Sequence, residues 1–284
     1  MKTAEIEPVK RPDTVVIQPV KGLVALNLRD LWIYRELVYF LTWRDLKVRY
    51  KQSVLGVLWA IINPLITTVV FAVIFGNFAK FPSDNVPYPV FSYAATLPWT
   101  FFAAALTVSA RSMLTSGGMV SKIYFPRIIV PLSSVFANLV DFLVGFVIMI
   151  GFLIFYHITP TINMLWLPAF LLLAMITALG VGLWFSALLV MYRDINYVLP
   201  FLTTIWMYIS PVVYASSTIP EKWRMLYSLN PMVGVIEGFR WALLGTQQSI
   251  SPMMIAISSG ISIIIFVTGL FFFRRMERVF ADMI

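Results

Sequence analysis

The sequence predicts an all-α polytopic membrane protein with six transmembrane helices, and three observations predict it. The first is composition: the chain is 60% hydrophobic and only 12% charged, where soluble domains carry roughly 25% charged residues. A soluble fold of this size has no interior large enough for that much apolar surface. The second is the length of its uncharged runs. Gln52 to Ala79 holds no charged residue in 28 positions, and about 20 apolar residues suffice for a helix to cross the ~30 Å hydrocarbon core. The third is charge asymmetry. With both termini cytoplasmic, seventeen of the 21 Lys and Arg fall on inner segments, and only Lys80, Lys222, Arg224 and Arg240 fall outside, as the positive-inside rule requires.

The elements follow in order. Residues 1–27 are polar, with Pro8, Pro12 and Pro19, and read as an extended cytoplasmic tail. The short apolar run from Thr14 to Val20 is broken by Gln18 and Pro19, so it is not the core of a cleavable signal. Residues 28–51 mix nine charges with Trp32, Tyr34, Tyr39 and Trp43. That is too charged to span and fits an N-terminal amphipathic interface helix, in one or two pieces. Thr42, with Asp45 three residues on, is a weak capping match for a second piece.

Residues 52–284 form the transmembrane domain. The first span is about 54–79, with Pro64 inside it, and the second about 88–110 after a Pro-rich loop. Arg111 to Arg127 has three basic residues, no acidic ones, and Gly117-Gly118 in the middle. It reads as a helix, a glycine break and a short surface element. The third span is about 128–156, with Pro131 in its first turn. Asp141 lies roughly 20 Å along it, at 1.5 Å per residue. The fourth span is about 164–192 and the fifth about 196–214. Residues 215–250 are too apolar for a loop and too interrupted by Pro220, Pro231, Glu221, Lys222, Arg224, Glu237 and Arg240 for a span. Two short re-entrant helices, about 219–228 and 231–245, fit them. The sixth span is about 252–273, with Ser251 as N-cap and Pro252 in the first helical position. Arg274, Arg275 and Arg278 close the chain on the cytoplasmic side.

Several chemistries are excluded. There is no Cys and a single His, so neither thiolate chemistry nor a metal site is expected. The net charge of +8 is distributed as a topology signal, so nucleic acid is not expected as a partner. No G-x-x-x-x-G-K-[ST] loop is present, so ATP-driven work would need a separate subunit. A membrane enzyme lacks support, because no span carries paired carboxylates and no nucleophile has a base beside it. A proton-coupled carrier usually needs several membrane carboxylates, and Asp141 is alone.

Three groups of residues remain as candidates. Asp141 is the one carboxylate deep in a span, which marks either a functional group or a structural carboxylate bonded to neighbouring helices. Glu237 and Arg240 sit at i, i+3 and are placed to pair, most simply as a structural contact. Phe71 and Phe75 at i, i+4, with Phe201, Trp206 and Tyr208, either pack and face lipid or line a path for sugars.

The stretches WRDLKVRYKQSVLGVLWAIINPL (43–65), SKIYFPRIIVPLS (121–133), YRDINYVLPF (192–201) and NPMVGVIEGFRWALLG (230–245) resemble the permease subunit of type-2 ABC transporters. These export polysaccharides such as O-antigen, capsular polysaccharide or teichoic acid. The resemblance runs from about residue 28 to the end, and its first block is the most specific.

The resemblance implies a homodimer in the bacterial cytoplasmic (inner) membrane, joined by two copies of a separate ABC ATP-binding subunit. ATP and Mg would sit on that partner, with no cofactor in this chain. It implies an ATPase-coupling element over Arg111, Ser116, Gly117, Gly118, Ser121, Lys122 and Tyr124. It implies a conduit along spans one and five, carrying Trp59, Phe71, Phe75, Phe201, Trp206 and Tyr208. Two short helices holding Glu237 and Arg240 would gate the outer side. The cargo would be a glycan on a polyprenyl diphosphate, entering beside Arg44, Arg49 and Lys51, although simple topology anchoring explains those three cations as well. The alternative on the same fold is an ABC exporter of small lipophilic molecules or drugs.

Overall fold

The computed structural model describes residues 28–51, 56–120, 122–245 and 251–283. The predicted tail over 1–27 and the coupling candidate Ser121 lie outside the described residues. Every described regular element is helical.

The N-terminal segment folds as two helices, α1 (Leu28–Ile33) and α2 (Arg35–Lys51). The break comes at Tyr34 and not at Thr42, which sits inside α2 and donates to the Val38 carbonyl one turn back at 2.8 Å. A hydroxyl offered that internal acceptor does not start a new helix. Among the described side chains of α2 only Leu41 is buried, while Tyr39, Phe40, Trp43 and Val48 are exposed, so its apolar residues are spread around the helix and the expected amphipathic segregation is not seen.

Helix α3 (Gly56–Phe71) carries Pro64 and passes into a π-helical stretch, Ala72–Phe78, whose end is closed by Ala79 N–H donating to Ile74 O at 2.8 Å. The Pro-rich connection that follows turns through Lys80, Asp84 and Asn85, all at positive φ. Helix α4 (Tyr88–Thr115) is the hub. Its 28 residues would reach about 42 Å, and its flanks pack on α3, α6, α7 and α10. A single turn, α5 (Gly117–Val120), leads by way of a short corner into α6 (Ile129–Phe155).

A 3-10 turn, Ile162–Trp166, runs on into α7 (Leu167–Met191). Helix α8 (Ile195–Ile209) is 15 residues long, about 22 Å and so shorter than the hydrocarbon core. The chain then turns through residues 210–212 and bends at 213 and 214. Helix α9 (Glu221–Tyr227) is short. Helix α10 (Pro231–Leu244) is fully capped: Asn230 Oδ1 accepts from Met232 N–H at 3.1 Å, and Gly245 closes the other end in the left-handed region at φ 69°. Helix α11 (Pro252–Met283) starts as the sequence predicts, with Met253 N–H on Ser251 Oγ at 3.3 Å, and continues well past residue 273.

Among the described residues, five segments are long and apolar enough to cross a membrane: Ile61–Phe78, Tyr88–Thr115, Ile129–Phe155, Ile162–Met191 and Pro252–Glu277. The predicted fifth span corresponds to the shorter apolar helix α8 and the turn after it.

The rigid centre comprises α4, α6, α7, α10 and α11. Lipid tails are as apolar as leucine, so helices in a bilayer associate through close backbone approach and polar ties. Gly180 and Gly269 supply the first: a Cβ on Gly269 would stand 2.3 Å from the Gly180 carbonyl oxygen. Tyr93 Oη, donating to Gly145 O at 2.8 Å, and Thr177 Oγ1, bonded to Ser262 Oγ at 2.9 Å, supply the second.

Candidate functional site

Three regions hold the residues singled out by the sequence. The first is the seam between α2 and α6. The two helices run parallel, and their bonds advance together. Thr42 donates to Ser133 O, Ser134 Oγ to Asp45 Oδ2 at 3.4 Å, and Arg49 Nη1 to Asn138 Oδ1 at 3.2 Å. At the top of this ladder Arg49 pairs with Asp141, and Tyr50 Oη donates to the same carboxylate. Asp141 lies twelve residues into α6, about 18 Å from its start. Two donors from α2 meet it there, so it is not an isolated charge. Burial, followed by the bond to Asp141, pushes the Tyr50 hydroxyl up to about 12, so it remains a neutral donor.

The structure divides the three predicted cations. Arg49 faces α6, while Arg44 and Lys51 line a shallow cleft of about 380 Å³ on another face of α2, together with Phe40, Trp43, Lys47 and Val48. Arg44 also pairs with Asp45 at 2.8 Å and reaches Ser116 Oγ at 3.5 Å and Met119 Sδ at 3.8 Å. Lys47, whose ammonium lies 5.5 Å from the centre of the Trp43 ring, belongs to this cleft and was missed.

The second region is the elbow from Arg111 to Arg127. Ser116 and Gly117 are buried and Arg111 is half-buried. Gly118, Lys122 and Tyr124 are exposed, with Ile123 beside them. The elbow is braced from two sides. Arg44 holds it from α2. From α11, Glu277 accepts from the Arg127 backbone N–H and guanidinium, which also sits over the Phe280 ring.

The aromatic set on α3 and α8 separates into packed and open rings. Phe71 is buried and Phe75 half-buried, meeting edge to face at 5.7 Å. Trp206 packs on Phe102 and donates to Asn230 Oδ1 at 2.8 Å. Trp59, Phe201 and Tyr208 are exposed.

The third region is the segment before α11. Glu237 and Arg240 pair at 2.9 Å, and Arg240 is 1% exposed. The pair does more than neutralise itself. Arg240 donates to the carbonyls of Val212 at 3.1 Å and Tyr214 at 3.2 Å, and its guanidinium stacks 3.6 Å from the centre of Phe91. Tyr88 Oη donates to the carbonyl between them, Val213 O, at 2.5 Å. Three successive carbonyls thus receive side-chain donors across the turn at residues 210–212 and the bend after it, and α8 ends at Ile209 because Ser210, the residue before Pro211, leaves the helical region at ψ 153°. Burial pushes the Glu237 carboxyl up, and the Arg240 charge opposes that push.

Sequence reasoning missed Tyr50, Asn138, Lys47, the Arg127–Glu277 brace and the clasp on residues 212–214. One signal was present: Ser134, Asn138 and Asp141 recur at helical spacing on an otherwise apolar helix, a polar stripe that needs a polar neighbour.

A helical bundle with long apolar helices, a charged helical strut packed on its side and an exposed elbow carrying Lys122 is the build of a multi-pass membrane protein. Residues 36–244 match the family described as ABC-2 type transporter, and the chain belongs to that family. It is 32% identical over 250 residues to an O-antigen export system permease protein RfbA of Klebsiella pneumoniae, covering 88% of this chain and 95% of that one. An RfbA of Myxococcus xanthus is 27% identical over 260 residues, covering 90% and 98%. The polysialic acid transport protein KpsM of Escherichia coli is 24% identical over 245 residues, covering 83% and 91%. Membership makes this chain the membrane permease subunit of its transporter, working with an ABC ATP-binding subunit.

Proposed function

We propose that this protein is the permease subunit of an ATP-driven exporter of an O-antigen-like polysaccharide. The observation that carries the reading is the 32% identity to an O-antigen export permease across 95% of that protein. The cargo is a glycan on a polyprenyl diphosphate, moved from the cytoplasmic to the outer face of the bacterial inner membrane. Two copies of this chain form the conduit, and two copies of a separate subunit bind ATP and Mg. With the termini cytoplasmic, the elbow from Arg111 to Tyr124 faces the ATPase. Its exposed Gly118, Lys122 and Tyr124 make the contact, while Ser116 and Gly117 set its shape. In each copy α3 and α8 present open apolar faces, with Trp59, Phe201 and Tyr208, toward the second copy and the conduit. The cleft of Arg44, Lys47 and Lys51 meets the anionic lipid headgroup, because phosphate oxygens accept charge-assisted bonds from such cations. Arg49 is committed to Asp141, and that pair positions α2.

Mass spectrometry of lipid-linked intermediates in cells depleted of the protein tests the reading. Accumulation of polyprenyl-diphosphate glycan is the expected result. Normal surface glycan with no accumulation would overturn it in favour of a small-lipophile exporter.

A further inference from the structure

The exposed tip of the elbow, Lys122 to Tyr124, hangs between two braces. Upstream, the single turn of α5 is carried on by the N–H groups of Lys122 and Ile123, which both donate to Met119 O, at 3.2 and 3.1 Å. Arg44 of α2 holds that turn at Ser116 Oγ and Met119 Sδ. Downstream, the chain passes the buried Phe125 and reaches Arg127 just before α6.

Arg127 stands at a helix start that has no side-chain cap of its own. Ile128 occupies the N-cap of α6 and offers no acceptor, although the first N–H groups of a helix need acceptors from outside it. The turn opens at Pro126 and Arg127, whose carbonyls accept from Ile129 and Val130 N–H at 3.0 and 3.1 Å. The Arg127 N–H finds its acceptor on α11, at Glu277 Oε1, 3.3 Å away and 150 residues along the chain. A carboxylate suits that place, because a helix N-terminus carries partial positive charge. The Arg127 guanidinium returns a bond to the backbone carbonyl of the same Glu277. Two bonds between the same two residues fix orientation as well as distance.

The cytoplasmic end of α11 is shaped to this contact. Its apolar window closes at Glu277, yet the helix continues for six residues to Met283, about 9 Å. Phe280 in that overhang is fully buried, meets Phe273 edge to face at 5.3 Å, and lies 6.0 Å from the Arg127 guanidinium. The last span therefore ends packed against the elbow.

We propose that Glu277 is a positioning residue for the elbow. Through Arg127 it fixes the downstream end of the Lys122–Tyr124 tip, so the last span shares with α2 the setting of the surface offered to the ATP-binding subunit. What that surface meets rests on the export reading; the brace itself does not. The carboxylate serves as an acceptor, so a glutamine amide can replace it and an alanine cannot.

The chain has no Cys, so Ile123→Cys carries a single nitroxide label at the tip. In the full-length permease in lipid nanodiscs, without nucleotide or cargo, Glu277→Ala should raise the label's mobility several-fold. Glu277→Gln should keep the parent spectrum. Arg127→Met, which loses the guanidinium bond but keeps the backbone N–H, should fall between. In the exporter assembled with its ATP-binding subunit, and without the label, E277A should lower kcat for ATP hydrolysis and the rate of export several-fold at unchanged KM for ATP, and E277Q should restore both. A tip as immobile in E277A as in the parent would overturn the brace, and E277Q no better than E277A would overturn the acceptor role. A loosened tip with undiminished hydrolysis and export would remove the positioning role, as would losses that only follow the amount of assembled complex. None of these outcomes turns on the glycan, which the lipid-intermediate measurement decides separately.

Discussion

Replacing Arg240 by Met tests how the outer end of the bundle is built. The substitution keeps the volume of the side-chain stem, removes the cation beside Glu237, and strips the donors from Val212 O and Tyr214 O. Breaking a buried pair by deleting one partner costs about 3–5 kcal/mol. The two orphaned carbonyls are part of that figure, at about 1–3 kcal/mol each. R240M should therefore lower stability by about 4 kcal/mol. The double variant R240M/E237M removes the stranded carboxyl but not the orphaned carbonyls, and should recover about 2 kcal/mol, well within pairwise coupling energies. R240K keeps the charge without the planar fork, cannot serve both carbonyls, and should fall between. Denaturant unfolding in micelles, followed by fluorescence of the nine tryptophans, reads these variants, the E237M single and the parent protein. The pH dependence gives a second check. In R240M the Glu237 carboxyl, buried without its cation, has a folded-state pKa above its ordinary value of 4.5. A raised carboxyl favours the protonated form in the folded state, so stability is greatest below that ordinary value and is lost as pH rises toward the folded pKa. The double variant should show no such slope. A cost for R240M under about 1 kcal/mol, or a double variant as unstable as the sum of the singles, would refute the clasp.

Other consequences are separable. The Arg49–Asp141 pair, with both side chains 30% exposed, is expected to hold position more than stability: D141N should change unfolding by about 1 kcal/mol or less yet lower export at normal protein level. The swap R49D/D141R should restore export in part if the tie between α2 and α6 is what matters; a swap no better than D141N would argue that Arg49 itself meets the cargo. K122E at the exposed elbow should reduce ATPase stimulation and export several-fold with membrane insertion intact, and unchanged export would remove the coupling assignment. G269A, whose new Cβ meets the Gly180 carbonyl, should destabilise by about 1–3 kcal/mol, whereas G260A, with nothing within 4 Å, should be near neutral in the same assay.

The helices were legible because membrane spans are written in composition and length. Gln52 to Ala79 could be little else, and Ser251-Pro252 announces the start of α11 as plainly as Asn230-Pro231 announces α10. What was not legible is what depends on partners distant in sequence. Arg49 looks like one more cation of the ramp until Asn138 and Asp141, about ninety residues away, are brought against it. The end of α8 was placed at 214 because Ser210 to Tyr214 is as apolar as the helix before it. The local stop signal was Pro211, which pushes Ser210 out of the helical region, while the donors from Arg240 and Tyr88 that satisfy the freed carbonyls come from elements distant in sequence. The i, i+3 spacing of Glu237 and Arg240 announced a pair but not its use.

The distribution of polar ties indicates which parts move together. Between apolar helices in lipid, sliding exposes nothing to water, so burial alone offers little resistance to relative motion. Resistance comes from interlocked backbones and from hydrogen bonds with no solvent to replace them. Both concentrate in α4, α6, α7, α10 and α11, where Gly180, Gly182, Gly238 and Gly269 bring neighbours into contact. Helix α2 is different. It is tied to the elbow through Arg44, to α6 through Thr42, Asp45, Arg49 and Tyr50, and by the chain itself to the start of α3. A push on Lys122 and Tyr124 thus reaches α2 and α6 as one body. From Ile61 to Phe78 helix α3 and its π-helical extension are mostly unburied, and among the described residues no comparable ladder ties them. The displacement is therefore released there, at the helix facing the proposed conduit. Helix α8, on the side of the proposed conduit, is held to the hub by Trp206, which packs on Phe102 and donates to Asn230, so a displacement of α3 would meet its resistance there.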